Sequence, residues 1–471
     1  MTPEQITGLG PALTEFLVSF KSCLGERRLL AHFGTYCRGL LSGLQRKSVE
    51  PIALAAGSTV RALQLFLNRR TWDHHRLRDR LQQRVATQLA PAPGATRPPD
   101  DPGVIGLIDE TSVAKKGDKT PGVQRQYCGA SGKIDNCIVT VHLGCCHAPG
   151  APGSFGGDEL AVLLDSDLYL PQSWVDDRTA GGGRCRDAGI PDGLACRPKT
   201  AIALDLVRRA VGNGIRFDWQ VFDEGYGKDP AFLFGLDALG QNWIGEVPRN
   251  FRCWPTLPPC HSLRREFDSK EVYNVTRWSP AFIYQAWRPF TLARQTVAPV
   301  VWEVKAAPVH LRDPLTDRPT DRAYRLIVAW NRKTQEYKYF LSNAPPHTDP
   351  ELLLRVAFRR SQIEHLFRVA KREVGLTHFE GRSYAGLMRH MTLCQLVLLF
   401  LAEQTRRFNH DTHPVAATAA PPRPARRGEK DAQPPRPGPG PGDAAHARRP
   451  SATGDDRADR RFAPLALCPM A

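Results

Sequence analysis

Three acidic residues stand where they could do metal-assisted chemistry. Asp109 closes the apolar run VIGLID (Val104–Asp109), and Asp223 closes DWQVFD (Asp218–Asp223). Glu364 lies in AFRRSQIEHLFRVAKREVG (Ala357–Gly375), between Arg360 and Lys371. On a helix turning about 100° per residue, the three charged side chains Arg360, Glu364 and Lys371 return to nearly one bearing. Ile363, Leu366, Phe367 and Ala370 form the apolar stripe beside them. Carboxylates are hard oxygen ligands that suit Mg²⁺, with Mn²⁺ as a substitute. Two such ions about 4 Å apart can clamp a scissile phosphate, one activating the attacking oxygen and one steadying the leaving oxygen. A guanidinium fork and an ammonium point charge are the cations that match phosphate.

Other acids compete for these roles. Glu110 and Glu224 directly follow the two aspartates, and strand alternation points them to the opposite face. Asp118 follows a Lys-Lys-Gly turn, and Glu373 and Glu380 lack the flanking Arg and Lys of Glu364. Lys115, Lys116, Lys119 and Arg125, just after the first acid, are candidates to track a DNA backbone. Trp243, Trp254, Trp287, Trp302 and Trp330 read as packing residues.

The elements that must position these groups follow from pattern. Residues 1–90 read as helical, with thirteen Lys and Arg against six Asp and Glu. Within them Ser48–Gly57 and Ser58–Arg70 predict two short helices around a turn, Gly57 taking positive φ and Ser58 capping the second. Val60, Leu63, Phe66 and Leu67 face inward, leaving Arg61, Arg69 and Arg70 outside, the outline of a helix-turn-helix DNA reader. A Pro- and Gly-rich linker at 91–103 precedes a strand-rich region, 104–247. Its strands are predicted at Val104–Asp109, Tyr127–Gly129, Asn136–Cys145, Asp218–Asp223 and Asn242–Val247, with helices at Thr200–Val211 and Pro230–Leu239. Residues 248–346 read as a mostly β insertion with a hairpin of Ala323–Trp330 and Tyr337–Ser342. Residues 347–409 carry two closing helices, Asp349–Val374 and Tyr384–Arg407, and 410–471 form a Pro/Ala/Arg-rich tail whose composition predicts disorder.

The 471-residue chain carries a formal charge of +16, which favours a polyanionic partner, DNA first. That charge has no use for the neutral sugars of a carboxylate-pair glycosidase. Leu393–Ala402, the most apolar stretch, is far short of the ~20 residues that span a bilayer, so no membrane partner is expected. No secretory signal opens the chain, which predicts a cytoplasmic, nucleoid-associated protein. The 12 cysteines contain no CxxC pair, and Cys253 to Cys260 with His261 is a weak zinc pattern. Reduced, largely buried thiols are the better reading.

Three ordered blocks carry a more specific signal: VIGLIDETSVAKKGDKTPGVQRQYCGASGKIDNC, VFDEGYG and RRSQIEHLFRVAKREVGLTHFEGRSYAGLMRH. They resemble bacterial insertion-sequence transposases of the DDE (Asp-Asp-Glu) superfamily, over about Arg28 through Leu399. The resemblance implies an α/β fold: an RNase H-like mixed sheet flanked by helices, the β insertion preceding the last helix, and an N-terminal helical DNA-binding domain. Relatives set the third acid in a Tyr-x2-Arg-x3-Glu-x6-Lys signature; Arg360, Glu364 and Lys371 match, while Ala357 stands at the tyrosine position. The same resemblance implies Asp109 as the carboxylate bridging two divalent cations, with Asp223 on one and Glu364 on the other. Arg360 and Lys371 are implied to contact DNA phosphate near the cut. The implied activity is cut-and-paste transposition: binding terminal inverted repeats, hydrolysing the element ends and joining them to target duplex, as a homodimer on DNA. A DNA-binding regulator without catalysis, or a stand-alone structure-specific nuclease, are the alternatives.

Overall fold

The run that ends in Asp109 opens β1 (Ile105–Ala114), whose first four residues are wholly buried, as an apolar central strand must be. The computed structural model describes residues 3–412, except 92–93, 95–96, 99–100, 148–159, 258–267 and 293–298. Part of the predicted linker, Cys260, His261 and nearly all of the C-terminal tail therefore lie outside the described residues. In chain order the further strands are β2 (Gln124–Cys128), β3 (Lys133–His147), β4 (Leu160–Leu168), β5 (Trp219–Phe222) and β6 (Trp243–Glu246). A short ribbon of β7 (Arg252–Cys253) and β8 (Lys270–Glu271) follows, then β9 (Arg288–Leu292), β10 (Val300–Val309), β11 (Tyr324–Asn331) and β12 (Glu336–Ser342).

All but the ribbon join one ten-stranded sheet in the order β2-β3-β1-β5-β6-β12-β11-β10-β9, with β4 also on β3. β3 pairs antiparallel with both β1 and β4, whereas β5 and β6 are added in parallel beside β1. Parallel neighbours need a crossover, supplied between β5 and β6 by helix Pro230–Ala238. This is the mixed, helix-flanked RNase H-like sheet that was expected. The β-rich stretch continues it: β12 lies antiparallel on β6, with Leu341 opposite Gly245. β4 has no counterpart in the sequence reading. Its buried Asp165 is held by Arg209 at 3.0 Å, and this side chain disguises an otherwise apolar strand.

The N-terminal segment forms helices Pro3–Val18, Arg27–Leu41, Val49–Ala55, Val60–Asn68 and His74–Leu89. The two short helices turn at Gly57, where φ is 61°. The cap of the second is Thr59 rather than Ser58; its hydroxyl accepts from the Ala62 amide at 3.3 Å. Leu63, Phe66 and Leu67 are buried, and Arg61, Arg69 and Arg70 are exposed.

Helix Tyr384–Thr412 packs on β4 and on helices Arg27–Leu41, Val60–Asn68 and His74–Leu89. It runs well past the apolar stretch seen in the sequence. By length and composition its Tyr384–Asn409 portion passes for a membrane span, but 83% of the qualifying stretch is buried within this chain, so packing accounts for its apolarity. Its Arg389 guanidinium donates to the carbonyls of Leu67 (2.8 Å), Arg70 (2.7 Å) and Trp72 (2.6 Å). Apolar side chains from the N-terminal helices, the sheet and the closing helices form one continuous buried cluster. All ten described cysteines are free thiols, and all but Cys196 are buried.

Candidate active site

Register brings the two aspartates together. β1 and β5 run parallel with Leu107 opposite Val221. Two residues further along each chain, Asp109 and Asp223 fall side by side, on neighbouring strands about 4.8 Å apart. Asp223 leaves β5 as the cap of the short helix Glu224–Gly227, its Oδ1 accepting from the Tyr226 amide at 3.3 Å. The turn lies flush on β6: a methyl group at Gly227 would meet the Glu246 carbonyl oxygen at 2.0 Å.

Glu364 arrives differently from expectation. The predicted helix Asp349–Val374 is broken into Pro350–Phe358 and Ser361–Val369, followed by a π-helical turn, Ala370–Val374, that stops at Gly375 with φ 80°. No Gly or Pro marks the break. Phe358 is instead drawn into an aromatic cluster, with Phe290 at 5.9 Å, Trp302 at 5.4 Å and Phe340 at 5.7 Å. Arg360 therefore caps the second helix, and its guanidinium spans two acids: Asp109 Oδ2 at 3.5 Å and Glu364 Oε1 at 2.8 Å. The Lys371 ammonium sits 5.5 Å over the Phe367 ring. Beneath them, Phe367 packs edge-on against His142 (ring centroids 5.1 Å apart), which pairs with Asp109 across β1 and β3. Burial drives the His142 pKa down to about 3, so the ring is a neutral spacer that seats the Glu364 helix. Sequence reasoning missed it, although the alternation in NCIVTVHLGC marks its face.

The carboxylates pay for their proximity. Burial, then the charge of Asp223, raise the Asp109 pKa to about 7, against the opposing pull of Arg360. Asp223 is raised as well, chiefly by burial. Lys371 is lowered by burial, with Asp109 pulling the other way. An acidic pair held in this state is relieved by a cation, and its oxygens are the hard donors that magnesium-sized ions take. Asp109, Asp223, Glu364 and Lys371 line one open cleft of about 530 Å³, joined by Arg368 and Arg372, which sequence reading did not single out.

The rival acids have other partners, although Glu110 lines the same cleft as Asp109 rather than the opposite face that strand alternation predicted. There it pairs with Lys199 and accepts from the Tyr226 hydroxyl at 2.9 Å. Glu224, Asp118 and Glu373 are exposed, and Glu380 pairs with Arg46. Asp73, His74 and His75 have ligand atoms all within 4.8 Å of one another. They serve structure: Asp73 caps helix His74–Leu89, and the His75 Nδ1 is taken by Arg78 at 2.9 Å. Lys116, Lys119 and Arg125 are exposed. Lys115 turns inward and donates to the Phe379 carbonyl. Ala357 is buried and lines a smaller pocket, of about 240 Å³, together with Arg360 and Glu364.

Comparison with known proteins now bears on this geometry. Residues 19–289 match the family described as DDE superfamily endonuclease. The chain belongs to that family. Residues 198–400, which carry Asp223 and Glu364, match a second description of this DDE superfamily, the transposase DDE domain. A curated relative, the probable transposase for insertion sequence element IS701 of Microchaete diplosiphon, is 29% identical over 238 residues. That match covers 50% of this chain and 53% of the relative, so the chain spans about half the length of that protein.

Proposed function

We propose that this chain is a DNA transposase that binds the terminal inverted repeats of an insertion sequence, cuts them and joins them to target duplex. The observation that carries the reading is Asp109 beside Asp223, with Glu364 linked to Asp109 through Arg360, all three lining one cleft together with Lys371, Arg368 and Arg372. Asp109, Asp223 and Glu364 would hold two Mg²⁺ or Mn²⁺ ions. Such ions supply Lewis-acid stabilisation of the attacked phosphate and a more acidic bound water.

The chain's own groups do the rest. Lys371 and Arg360 grip the phosphate at the cut, Arg360 by exchanging its carboxylate partners for phosphate oxygens. Arg368 and Arg372 lie where they attract the flanking backbone. Asp109 must lose its proton before it can hold a cation, so loading improves as pH rises through about 7. Residues 1–90 contribute the DNA reader, through Arg61, Arg69 and Arg70 on helix Val60–Asn68 and its end, while Lys116 and Arg125 follow the duplex on the other side of the first acid. Joining two ends to one target calls for two copies on DNA. The reading places the protein at the nucleoid of a bacterial cytoplasm.

The test uses duplexes copied from the DNA flanking the gene. With Mg²⁺ or Mn²⁺ the unaltered chain is expected to nick them at the element end, and Asp109→Ala, Asp223→Ala and Glu364→Ala to bind without nicking. Nicking retained by all three variants would remove this site from the chemistry. Binding with no nicking by the unaltered chain under any divalent ion would instead make it a DNA-binding regulator.

A further inference from the structure

A second groove, of about 610 Å³, lies beside the acid cleft and is lined by Gln45, Arg46, Ala130, Lys371, Thr377 and His378. It shares Ser112, Ala130 and Lys371 with that cleft, so the two meet at the Lys371 side chain. Its far end is the loop between helices Arg27–Leu41 and Val49–Ala55, immediately before the two helices read as the DNA reader. The groove thus runs between the proposed reading element and the proposed cutting centre.

Its chemistry selects an occupant. Arg46 and Lys371 stand on its walls, and the charges of Arg46 and Lys47 reach His378. The opposing acid is Glu380, paired with Arg46; the two side chains are 46% and 65% exposed, so the pair is weak and readily exchanged for a phosphate. Among the described lining residues there is no Phe, Tyr or Trp, and the one ring present, His378, is held through Nδ1 by the Lys47 amide, so the groove offers no broad platform for stacked bases. A positive, polar channel without such platforms fits a sugar–phosphate backbone.

The walls are fixed rather than adaptable. Lys47 is 5% exposed. Its main-chain amide donates to His378 Nδ1 at 3.0 Å, and its ammonium to the Leu40 carbonyl at 2.7 Å and to the Glu373 carbonyl. These bonds staple the loop before Val49 to the segment that follows the Glu364 helix.

We propose that this groove carries the sugar–phosphate backbone of the strand to be cut, leading it from helices Val49–Ala55 and Val60–Asn68 to the three acids. The proposal rests on the reading of those acids as the cutting centre and adds to it the path of one strand. Arg46 is the main phosphate contact along the path, and Gln45 lies beside it.

The test tethers and then perturbs. Gln45→Cys is offered duplexes copied from the flanking DNA, each with an activated mixed disulfide tethered to the phosphate at one position of one strand, so that exchange with the introduced thiol releases the small leaving thiol. Disulfide capture is expected on the strand that is nicked, near the nick, and not on its complement. Arg46→Glu is expected to weaken end binding and to lower the slope of log affinity against log salt by about one, while Arg46→Lys keeps both. Arg46 is mostly exposed, so these replacements leave the fold intact, and an unchanged denaturation profile verifies it. Capture on neither strand, with affinity and slope unchanged in Arg46→Glu while the unaltered chain still nicks the ends, overturns the groove and spares the cutting centre. An unaltered chain that nicks no end defeats both.

Discussion

The most exposed consequence of the site concerns stability without any cation. Asp109 ionises near 3.8 in an unfolded chain and near 7 in the folded one, because it is buried beside Asp223. Between those values the folded chain keeps a proton that the unfolded chain has released. Stability from this group is therefore full at low pH and is lost as pH rises to about 7. The side chain is only 16% exposed, so solvent screening takes little away. At about 1.36 kcal/mol per pH unit, and with the folded group half-ionised at about pH 7, the loss from about pH 5 to about pH 7 is about 2 kcal/mol, levelling off towards about 3 kcal/mol by about pH 8. Asp109→Asn keeps the shape and removes the titration. In a chelating buffer, urea denaturation is expected to show the natural chain losing about 3 kcal/mol more than Asp109→Asn between about pH 5 and about pH 8. Adding Mn²⁺ at the higher pH should restore the natural chain and leave the variant unmoved. Parallel pH profiles for the two proteins would refute the argument that crowded carboxylates strain this site.

Three further outcomes follow from particular contacts. Arg360→Gln removes a guanidinium that spans Asp109 and Glu364; Mn²⁺ affinity measured by titration calorimetry without DNA should rise by about tenfold, and weaker binding would contradict that competition. Lys115→Ala loses an inward hydrogen bond to the Phe379 carbonyl; it should cost about 1 kcal/mol in denaturation with DNA affinity little changed, whereas Lys116→Ala should do the reverse in salt-dependent binding. Gly227→Ala drives a methyl group against the Glu246 carbonyl; a loss of about 1–3 kcal/mol in denaturation is expected, with end nicking impaired through the displaced Asp223, and a variant of natural stability would show that the turn yields.

How far the sequence spoke depended on whether the cause was local. Asp109 and Asp223 were legible because each closes an apolar run, and a parallel sheet turns two such ends into neighbours. The hairpin of β11 and β12 was equally plain from its alternation, but its seat against β6 is a long-range pairing that no local pattern encodes. The break after Phe358 was invisible for the same reason: it follows from aromatic partners on β9, β10 and β12 rather than from a helix breaker. β4 went unassigned because Asp165 and Asp167 interrupt its apolar run, and only Arg209 and Arg78 folded against them account for acids in a buried strand. Lys115 and Lys116 are indistinguishable as letters; only the position of the Phe379 carbonyl separates the buried one from the exposed one.

The three carbonyls gathered by Arg389 bolt the end of helix Val60–Asn68 to the same long helix that backs the catalytic sheet. On the proposed reading of that helix as the DNA reader and of the three acids as the cutting centre, these bonds make the two a caliper. A base pair inserted between the recognised bases and the element boundary is then expected to carry the cut one step inward from that boundary, at a constant distance from the motif.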